Sequence, residues 1–274
     1  MNQKRMFSGA ARVAMALVAG GVVSQAAFAQ ASAPAAEADT WQFSLGAGAV
    51  SRPKYPGASS QRTQLLPVIS ATYGRYFIGG APGSGAPAGL GAYLYRGESL
   101  RLGVSLGVGV SKARKESDDD SLRGLGDIDG ATRAAVFASH NPTSWLTLSG
   151  SVSADISDNK QGVLATFDAQ GRYQVFEGFS LVGGPGLTWA NREYTQTFFG
   201  IDGDQSARSG RAEYRAGSGL NALRFSVGAD YAFTKRWSVG GRAVFSRLQN
   251  DAADSPITAE RMQNTYFLFT AYRF

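Results

Sequence analysis

The sequence contains no cysteine and a single histidine among its 274 residues. Without cysteine the chain can form no disulfide framework, no thiolate metal site and no lipid anchor attached through sulfur. The histidine, His140, lies in His140-Asn141-Pro142-Thr143, which the sequence predicts to be a tight turn. A catalytic histidine needs a nucleophile within hydrogen-bond reach and a third group to orient it, and nothing near this turn marks either. We therefore interpret His140 as a turn residue and expect no enzymatic activity.

Long apolar runs are also scarce. Lys4 and Arg5 precede an apolar stretch at 10–23, and Ala27-Phe28-Ala29 has the small-x-small pattern of a cleavage site. This is the pattern of a secretory signal peptide, predicted here at 1–29, and its apolar run is too short to span a membrane. No later stretch approaches the roughly 18 apolar residues that a membrane helix needs. A membrane location would therefore require a β-barrel.

The chain without its leader also has no large excess of positive or negative charge. Removing Lys4, Arg5 and Arg12 with the leader from the 27 basic residues leaves 24, against 21 acidic residues. That balance, without a clustered basic face, argues against nucleic acid as a partner. Glycine, in contrast, is abundant at 35 residues, and aromatic residues make up 11% of the chain. This composition is typical of exported outer-membrane barrels.

From Trp41 onward the apolar residues recur with a period of two. The clearest example runs from Leu100 to Val110, where every second residue is Leu or Val. Such alternation is typical of strands, and the sequence predicts no helical segment. A flexible Ala/Pro-rich tail is expected at 30–40 and the barrel domain at 41–274. Strands are predicted near 41–50, 63–73, 75–80, 88–96, 99–112, 129–139, 144–157, 162–176, 178–191, 222–233, 235–249 and 262–274.

The junctions between these strands alternate in length. The even-numbered ones are tiny, whereas the odd-numbered ones are long, except for the short junction at 158–161. Short turns at one end and long loops at the other are the signature of an outer-membrane barrel, with periplasmic turns and extracellular loops. The predicted fold is thus an all-β, transmembrane, antiparallel, up-and-down barrel of twelve strands in the Gram-negative outer membrane. Ten strands are the alternative, because Arg75–Gly80 is short enough to belong to a bent neighbour.

Charged residues interrupt the polar faces of the later strands. In a barrel these faces point inward, so the residues are candidates for lining the lumen and deciding whether water passes. A soluble sheet would show the same pattern toward solvent, and the lengths of the junctions decide between the two. The lumen-lining candidates are Asp168, Arg172, Arg224, Asp230 and Arg242.

The acidic run Asp118-Asp119-Asp120, followed by Asp127 and Asp129, could collect Ca²⁺ or Mg²⁺ through hard oxygen ligands. Its spacing matches no calcium-loop motif, so a solvated loop is the preferred interpretation and no cofactor is expected. Loose divalent bridging to the phosphate-rich outer leaflet, with its lipopolysaccharide, is the alternative.

The tryptophans near strand ends are interpreted as a membrane-interface belt, with carbohydrate stacking as the alternative. They are Trp41, Trp145, Trp189 and Trp237.

The last strand ends on an aromatic residue. Tyr266, Leu268, Tyr272 and Phe274 share one face of 264–274, as expected for a closing strand that pairs with 41–50. We expect these four residues to form the C-terminal signal that the barrel-assembly machinery reads.

Several segments together resemble one family. The more specific ones are Gly124-Leu125-Gly126-Asp127-Ile128-Asp129 and Asp251-Ala252-Ala253-Asp254-Ser255-Pro256-Ile257. Shorter ones are Lys54-Tyr55-Pro56-Gly57-Ala58-Ser59, Leu65-Leu66-Pro67, Thr197-Phe198-Phe199-Gly200-Ile201 and Ser218-Gly219-Leu220. This set resembles the MltA-interacting protein/OmpV family of Gram-negative outer-membrane proteins.

The resemblance implies a scaffold that links a murein-degrading lytic transglycosylase to a murein-synthesising penicillin-binding protein. Other members are described as porin-like, so a narrow channel for small polar solutes stays open as the alternative function. No catalytic residues carry over, and an outer-membrane hydrolase is disfavoured. We expect Asp127, Asp129, Asp251 and Asp254 to hydrogen-bond loop backbone and fix loop shape. The motif positions at loop bases are Gly124, Gly126, Asp127, Asp129, Asp251, Asp254, Ser255 and Pro256.

Overall fold

Twelve antiparallel strands close into a barrel in the computed structural model, which describes residues 40–81, 83–109 and 113–274. Every strand pairs with its neighbours in sequence, and the first strand pairs with the last. This confirms the predicted fold class. The strands are β1 (Gln42–Pro53), β2 (Gln61–Tyr73), β3 (Tyr76–Gly79), β4 (Gly89–Arg96), β5 (Leu100–Val108), β6 (Thr132–Thr143), β7 (Leu146–Asp155), β8 (Val163–Phe176), β9 (Phe179–Ala190), β10 (Gly219–Ala232), β11 (Trp237–Leu248) and β12 (Met262–Arg273). The predicted signal peptide, and the predicted tail up to residue 39, lie outside the described residues.

Two details of the predicted strands are decided by pairing. The four-residue β3 pairs separately with β2 and with β4, which excludes the ten-strand alternative. The predicted turn at His140 is wrong, because β6 continues to Thr143 and His140 lies opposite Leu148 of β7. A register shift between His140 and Thr143 accommodates Pro142, which has no N–H to donate to the ladder. The Asn-Pro pair therefore marks a bulge at the end of a strand.

Two 3-10 helices, Glu116–Asp118 and Asp120–Leu122, lie in one long loop, and short α-helices interrupt two others, where the sequence predicted none. The α-helices are α1 (Arg192–Phe199), α2 (Gly203–Ser209) and α3 (Asn250–Asp254). Asn191 caps α1 by accepting a hydrogen bond from the Tyr194 N–H at 3.0 Å. Asp202 and Gln205 form a reciprocal capping box on α2. Within the described residues, no helix has the length and apolar composition needed to cross a membrane.

The two faces of the barrel wall differ sharply in burial. Leu268 is 65% exposed on the outer face, whereas its neighbours Phe267 and Phe269 are 4% and 5% exposed on the inner face. Many residues of the inner face are small, because the inner side of a curved wall leaves less room for each side chain than the outer side does. The buried serines there include Ser105, Ser139, Ser149, Ser151, Ser153, Ser180 and Ser226.

Aromatic side chains gather at the strand ends beside the short turns. Trp41 stacks on Phe43 and on Tyr73, with ring centroids 5.3 and 5.0 Å apart. On β11 and β12, the Tyr272 ring lies 5.0 Å from Trp237 and 4.9 Å from Phe274. Amphipathic rings at this level of a barrel suit the boundary between membrane and water.

The seam of the barrel joins the two ends of the chain. Eight residue pairs, from Ser44↔Arg273 to Ser51↔Tyr266, connect β1 to β12. The strands approach closely, since a Cβ on Gly46 would lie 1.8 Å from the Thr270 carbonyl oxygen. The predicted pairing of the closing strand with the first strand is thereby confirmed, and no edge of the sheet stays open.

Candidate functional site

The charged candidates on β8 and β10 meet across β9. The Arg224 Nη2 donates to both carboxylate oxygens of Asp168, at 3.0 and 3.1 Å, and to the Leu187 carbonyl at 3.1 Å. Gly186 of β9 lies in register between the two residues. A Cβ at Gly186 would lie 2.0 Å from the Asp168 Oδ1, so only glycine lets the arginine lie flat against the wall.

A second ionic cluster lies nearer the short turns. Asp230 accepts from Arg172 of β8 at 3.3 Å and from Arg242 of β11 at 2.8 Å. Glycines again make the room, because a Cβ at Gly240 would lie 2.7 Å from Asp230 Oδ1 and one at Gly228 would lie 2.4 Å from Arg242 Cδ. The structure thus brings all five charged candidates together, in two clusters on the wall formed by β8 to β11.

The interior is less polar than the alternating pattern predicts. Phe77, Tyr93 and Phe137 form one aromatic cluster, with ring centroids 5.2 to 6.1 Å apart. Phe267 and Phe269 stack at 5.5 Å on the inner face of β12. The inner face thus carries aromatic side chains as well as polar ones, and they fill part of the lumen.

A segment between β3 and β4, here called the inner segment (residues 80–88, with residue 82 outside the described chain), folds into the barrel. Ala81, Ser84 and Ala86 are buried, and the two alanines pack on the Phe77 cluster. The Ser84 hydroxyl donates to the Ala81 carbonyl at 2.8 Å and accepts from the Ala86 N–H at 3.2 Å. Because these hydrogen bonds lie within the turn, its polar groups need few hydrogen-bond partners on the barrel wall.

The tip of the inner segment reaches the opposite wall. Ser151 of β7 donates its hydroxyl to the Gly85 carbonyl at 3.1 Å. Gly85 has a φ of +65°, and a Cβ there would lie 2.7 Å from Thr166 Oγ1 of β8. The inner segment therefore spans the lumen from the β3–β4 side to the β7–β8 side.

The long loops pack against one another to form what we call the outer cap, residues 54–60, 113–131, 191–218 and 249–261. One apolar core of this cap draws a side chain from each of the four loops, and Leu122 and Ile201 in it are 0% and 1% exposed. A second core packs α1 and α3 on the ends of β9, β10 and β11. The members of the first core are Tyr55, Ala58, Leu122, Leu125, Ile201 and Ile257.

The Gly124–Asp129 motif is held by one carboxylate of the outer cap. Glu116 accepts from the N–H groups of Gly124 and Gly126, at 2.6 and 3.1 Å. In return, Asp127 accepts from the Glu116 N–H at 2.7 Å. Gly124 has a φ of +82°, and a Cβ there would lie 2.7 Å from the backbone of Arg208. The motif thus forms a loop whose shape is set by backbone hydrogen bonds.

The second motif joins two loops of the cap, 249–261 and 191–218. Asp251 accepts from the Gly217 N–H at 2.6 Å, and Ser255 donates to the Phe199 carbonyl at 2.5 Å. Arg211 donates to the Pro256 carbonyl at 2.6 Å. Asp254 instead forms an exposed ion pair with the Arg261 side chain at 2.8 Å.

Asp129, in the first motif, contributes its backbone carbonyl, which accepts from the Gln161 side chain at 2.5 Å. Asp251, Ser255, Pro256 and the Asp129 carbonyl therefore contact other loops, whereas Asp127 bonds to Glu116 and Asp254 pairs with Arg261 within their own loops.

Arg114 is a functional candidate that the sequence analysis missed. Its side chain is among the most completely buried in the described residues, and Nη1 donates to the Phe198 carbonyl at 3.2 Å. Burial lowers the pKa of Arg114 to about 10, and the nearby Tyr55, Asp127 and Glu116 partly oppose that shift. The group stays cationic at neutral pH. In the sequence, Arg114 precedes Lys115, and this pair of charges is typical of a solvated loop.

The acidic run joins loops to one another. Asp118 pairs with Arg62 of β2, and Asp120 pairs with Arg123 at 3.5 Å on the surface. Asp119 accepts from the Ser121 N–H at 3.1 Å and from the Ser60 hydroxyl at 2.9 Å. These hydrogen bonds, the Ser121 backbone N–H first, lower the pKa of Asp119. In the part of the chain that the structure describes, no three acidic or histidine side chains gather closely enough to hold a metal ion.

The four residues of the predicted C-terminal signal point outward. Tyr266, Leu268 and Phe274 are 42%, 65% and 68% exposed, and Tyr272 packs between Trp237 and Phe274. An assembly factor could therefore reach this face before the barrel enters the membrane. That role stays a prediction.

A closed antiparallel barrel with an apolar outer face, an aromatic rim and long loops at one end defines an outer-membrane β-barrel protein. The family model described as MltA-interacting protein MipA matches residues 45–274, and the chain belongs to this family. Both the family and the outer-membrane location predicted from the sequence are confirmed.

Two curated relatives come from Escherichia coli (strain K12). The "MltA-interacting protein" is 26% identical over 161 residues, which cover 58% of this chain and 63% of that protein. This match spans less than two thirds of the relative's length. The "Putative outer membrane protein YiaT" is 23% identical over 240 residues, which cover 87% of this chain and 94% of that protein. These names describe an interacting protein and an outer-membrane protein, and neither states an enzymatic activity.

Solved barrels with related shapes share little sequence with this chain. An outer membrane channel from Pseudomonas putida F1 aligns with a TM-score of 0.48 and 14% identity, over 88% of this chain and 97% of that chain. The NanC porin aligns with a TM-score of 0.41 and 10% identity, over 84% of this chain and 98% of that chain.

Proposed function

We propose that this protein is a non-enzymatic outer-membrane anchor for a murein-remodelling enzyme of the periplasm. The observation that carries the proposal is the closing of the long-loop end of the barrel. The outer cap packs its own apolar core there, with Leu122 and Ile201 almost fully buried, and the inner segment crosses the lumen beneath it. A barrel filled in this way exposes its short turns and lower rim to the periplasm.

The free energy gained by burying side chains in the cap suits an anchor better than a channel for solutes. Each fully buried Leu or Ile side chain in the cap contributes roughly 1.5–3 kcal/mol of transfer free energy. The two ionic clusters hold their arginines by salt bridges to Asp168 and Asp230, and the second cluster keeps one positive charge in excess. An anchor needs this stability together with a face that a periplasmic protein can reach.

The proposed partners follow from the family and from the surface. One curated relative is named for its interaction with MltA, and we propose a lytic transglycosylase as the main partner here, with a penicillin-binding protein joined through it. Membrane lipid and lipopolysaccharide would surround the apolar outer face, and the barrel-assembly machinery would read the C-terminal residues.

Co-purification tests the anchor. The solubilised barrel is immobilised and offered a lytic transglycosylase from the same cell. A variant carries Gly-Ser-Asn in place of 97–99 and of 234–236, and Gly-Asn in place of 144–145. A matched control carries Asp120→Ser and Arg123→Ser in the outer cap, where the pair is exposed. The anchor predicts that the wild type and the control retain the enzyme and that the turn variant loses it. Equal retention by all three, or by none, would contradict the proposal.

The second candidate is a narrow channel for small polar solutes, and the charged wall of β8 to β11 favours it. Barrels of about eight strands are filled by side chains, whereas those of about sixteen leave a channel. Twelve strands lie between these limits. Single-channel recordings in planar bilayers separate the candidates, because a silent wild-type barrel excludes the channel and a steady conductance supports it.

A further inference from the structure

Arginines line the inner face of the barrel at its short-turn end. Arg96 on β4 and Arg101 on β5 lie directly opposite each other in register. The Arg96 guanidinium lies 4.9 Å from the ring centroid of Tyr93, which belongs to the interior aromatic cluster. Arg101 shares its face with buried Gly103, two residues along β5. Both side chains therefore belong to the inner side of the rim.

Two further arginines complete the ring. Arg273 ends β12 on the same face as buried Phe269 and Ala271. Arg172 of β8 reaches inward to Asp230. We call the space bounded by Arg96, Arg101, Arg172 and Arg273 the arginine vestibule.

The vestibule carries uncompensated positive charge. Among the described residues, Arg172 alone of the four has a carboxylate within 4.0 Å, and it shares that Asp230 with Arg242. Glu98 and Glu177 in the adjoining turns form no ion pair with any of them, and Arg75, Lys235 and Arg236 in the turns add to the positive charge. In contrast, several cations at the long-loop end have acidic partners, namely Arg62 with Asp118, Arg123 with Asp120 and Arg261 with Asp254.

Such an arrangement opposes folding. Like charges directly opposite each other on neighbouring strands are destabilising. Arg96 and Arg101 occupy such a pair, and neither forms an ion pair with Glu98 of the turn that joins them. Local costs of this kind are expected at functional sites. The planar guanidinium fork fits a carboxylate with two parallel hydrogen bonds, so the expected ligand bears carboxylates.

Access to the vestibule is from the periplasm. The outer cap and the inner segment fill the barrel from the other end, whereas Arg96, Arg172 and Arg273 are exposed. The aromatic cluster of Phe77, Tyr93 and Phe137 lies on one side of this space and narrows it. The expected occupant is a single extended peptide, because one chain needs less width than a branched or cross-linked polymer does. Its side chains recur on one face about every 6.6 Å, so successive acidic residues can reach different strands of the ring.

We propose that the arginine vestibule binds an acidic peptide segment of the periplasmic partner. This inference rests on the proposed anchoring function and names the chemistry of its contact. The segment enters the mouth extended, and its Asp or Glu side chains pair with the arginines of the ring. Binding weakens as salt is added, because salt screens the attraction between exposed charges.

A labelled ten-residue peptide rich in glutamate tests the inference by fluorescence anisotropy on the full-length solubilised barrel. Arg96→Gln with Arg101→Gln removes the opposed pair, and Arg273→Gln gives an independent variant. Arg123→Gln, in the outer cap, is the control whose charge change equals that of Arg273→Gln. Heat-modifiable migration on gels reports whether each variant has formed its barrel. The double variant relieves a repulsion, so its barrel is expected to form.

The wild type and Arg123→Gln should bind the peptide, and the double variant should bind on the order of tenfold more weakly, as expected when charge pairs are lost. A lysine-rich peptide of equal length should not bind. Equal affinity of all variants for the acidic peptide would overturn the inference. Binding of isolated murein by the wild type, without binding of the peptide, would also overturn it and assign the ring to a polymer.

Retention of the transglycosylase separates this inference from the function on which it rests. A double variant that loses both the peptide and the enzyme supports both proposals. A double variant that loses the peptide but retains the enzyme overturns the partner assignment and leaves the anchor intact. A wild type that binds the peptide but retains no transglycosylase contradicts the anchor and supports an acidic ligand for the vestibule.

Discussion

One amino group of Arg224 on β10 holds both carboxylate oxygens of Asp168 on β8, across the strand that separates them. The pair exists because Gly186 leaves the inner face of β9 bare at that level. Sequence neighbours alone do not reveal this relation, since the two residues are 56 positions apart. It couples three strands through one buried contact.

Breaking that contact on one side should be costly. Arg224→Met leaves the buried Asp168 carboxylate without this cation, and removing one partner of a buried pair typically costs about 3–5 kcal/mol. The free energy of unfolding in urea, followed by tryptophan fluorescence in detergent micelles, should fall by that order. The double change Asp168→Asn with Arg224→Met should recover part of the loss. A single variant as stable as the wild type would show that the pair is not coupled to folding.

The glycine can be tested separately. Gly186→Ala places a methyl group against Asp168 Oδ1, and overpacking of this kind costs about 1–3 kcal/mol. Gly150→Ala on β7 is the matched control, because its nearest contact would be an ordinary 3.4 Å. We expect a lower urea midpoint for Gly186→Ala only. Similar midpoints for both variants would contradict the packing argument.

Glu116 should control the shape of the outer cap without affecting the barrel wall. Glu116→Ala removes the acceptor of the Gly124 and Gly126 N–H groups, and each unsatisfied group costs about 1–3 kcal/mol. Hydrogen exchange in 113–131 should become faster, whereas exchange in β6 to β9 should not change. Asp120→Ala, at a fully exposed side chain, is the control. Unchanged protection of 113–131 in the Glu116 variant would refute this role.

The cap should loosen in acid in a way that depends on Asp119. Hydrogen bonds from Ser121 and Ser60 lower the folded-state pKa of Asp119 below its unfolded value. The carboxylate therefore stabilises the cap above the unfolded pKa of about 3.9, and this contribution is lost as the pH falls through the folded pKa. Proteolysis of 113–131 by an acid-active protease should rise below about pH 4, with a shallower rise in Asp119→Asn. Identical pH profiles would contradict the assignment.

Displacing the inner segment should open a path through the lumen. Gly85→Val combines a φ that suits glycine with a collision at Thr166 Oγ1, so the segment must leave the β7–β8 wall. Planar-bilayer recordings should then show conductance events that are less frequent or absent in the wild type. Gly150→Ala again serves as the folding control. A Gly85→Val barrel with unchanged conductance would mean that another element closes the lumen.

The sequence was sufficient to predict the strands because alternation over ten or so residues is a strong signal. The four-residue β3 was recoverable because Gly74 and Gly80 bracket it. The helices were missed because each has at most eight residues, too few for a period of 3.6 to emerge beside strands. The spacing of Asp202 and Gln205 was a capping signal for α2 that could have been used.

The candidate site was only partly predictable. The charged residues of β8, β10 and β11 were identified from their polar face, but their partners depend on the register of non-neighbouring strands. Phe267 and Phe269 fall on the face opposite Phe274, yet alternation does not say that an inner face can be aromatic. The burial of Arg114 depends on loops far apart in sequence, and no local pattern encodes it.

The seam between β1 and β12 also sets the order in which this protein can form. Ser44 and Arg273 stand at opposite ends of the described chain, so their pairing has nearly the largest sequence separation available. Contacts of this kind make folding slow, because the chain loses conformational entropy in bringing its ends together before the contacts stabilise it. The thermodynamic cost is modest, because each doubling of a loop adds only about 0.6 kcal/mol. One edge of β1 must therefore stay unpaired until β12 has formed. The pairing of these two strands is the step that an assembly catalyst would accelerate.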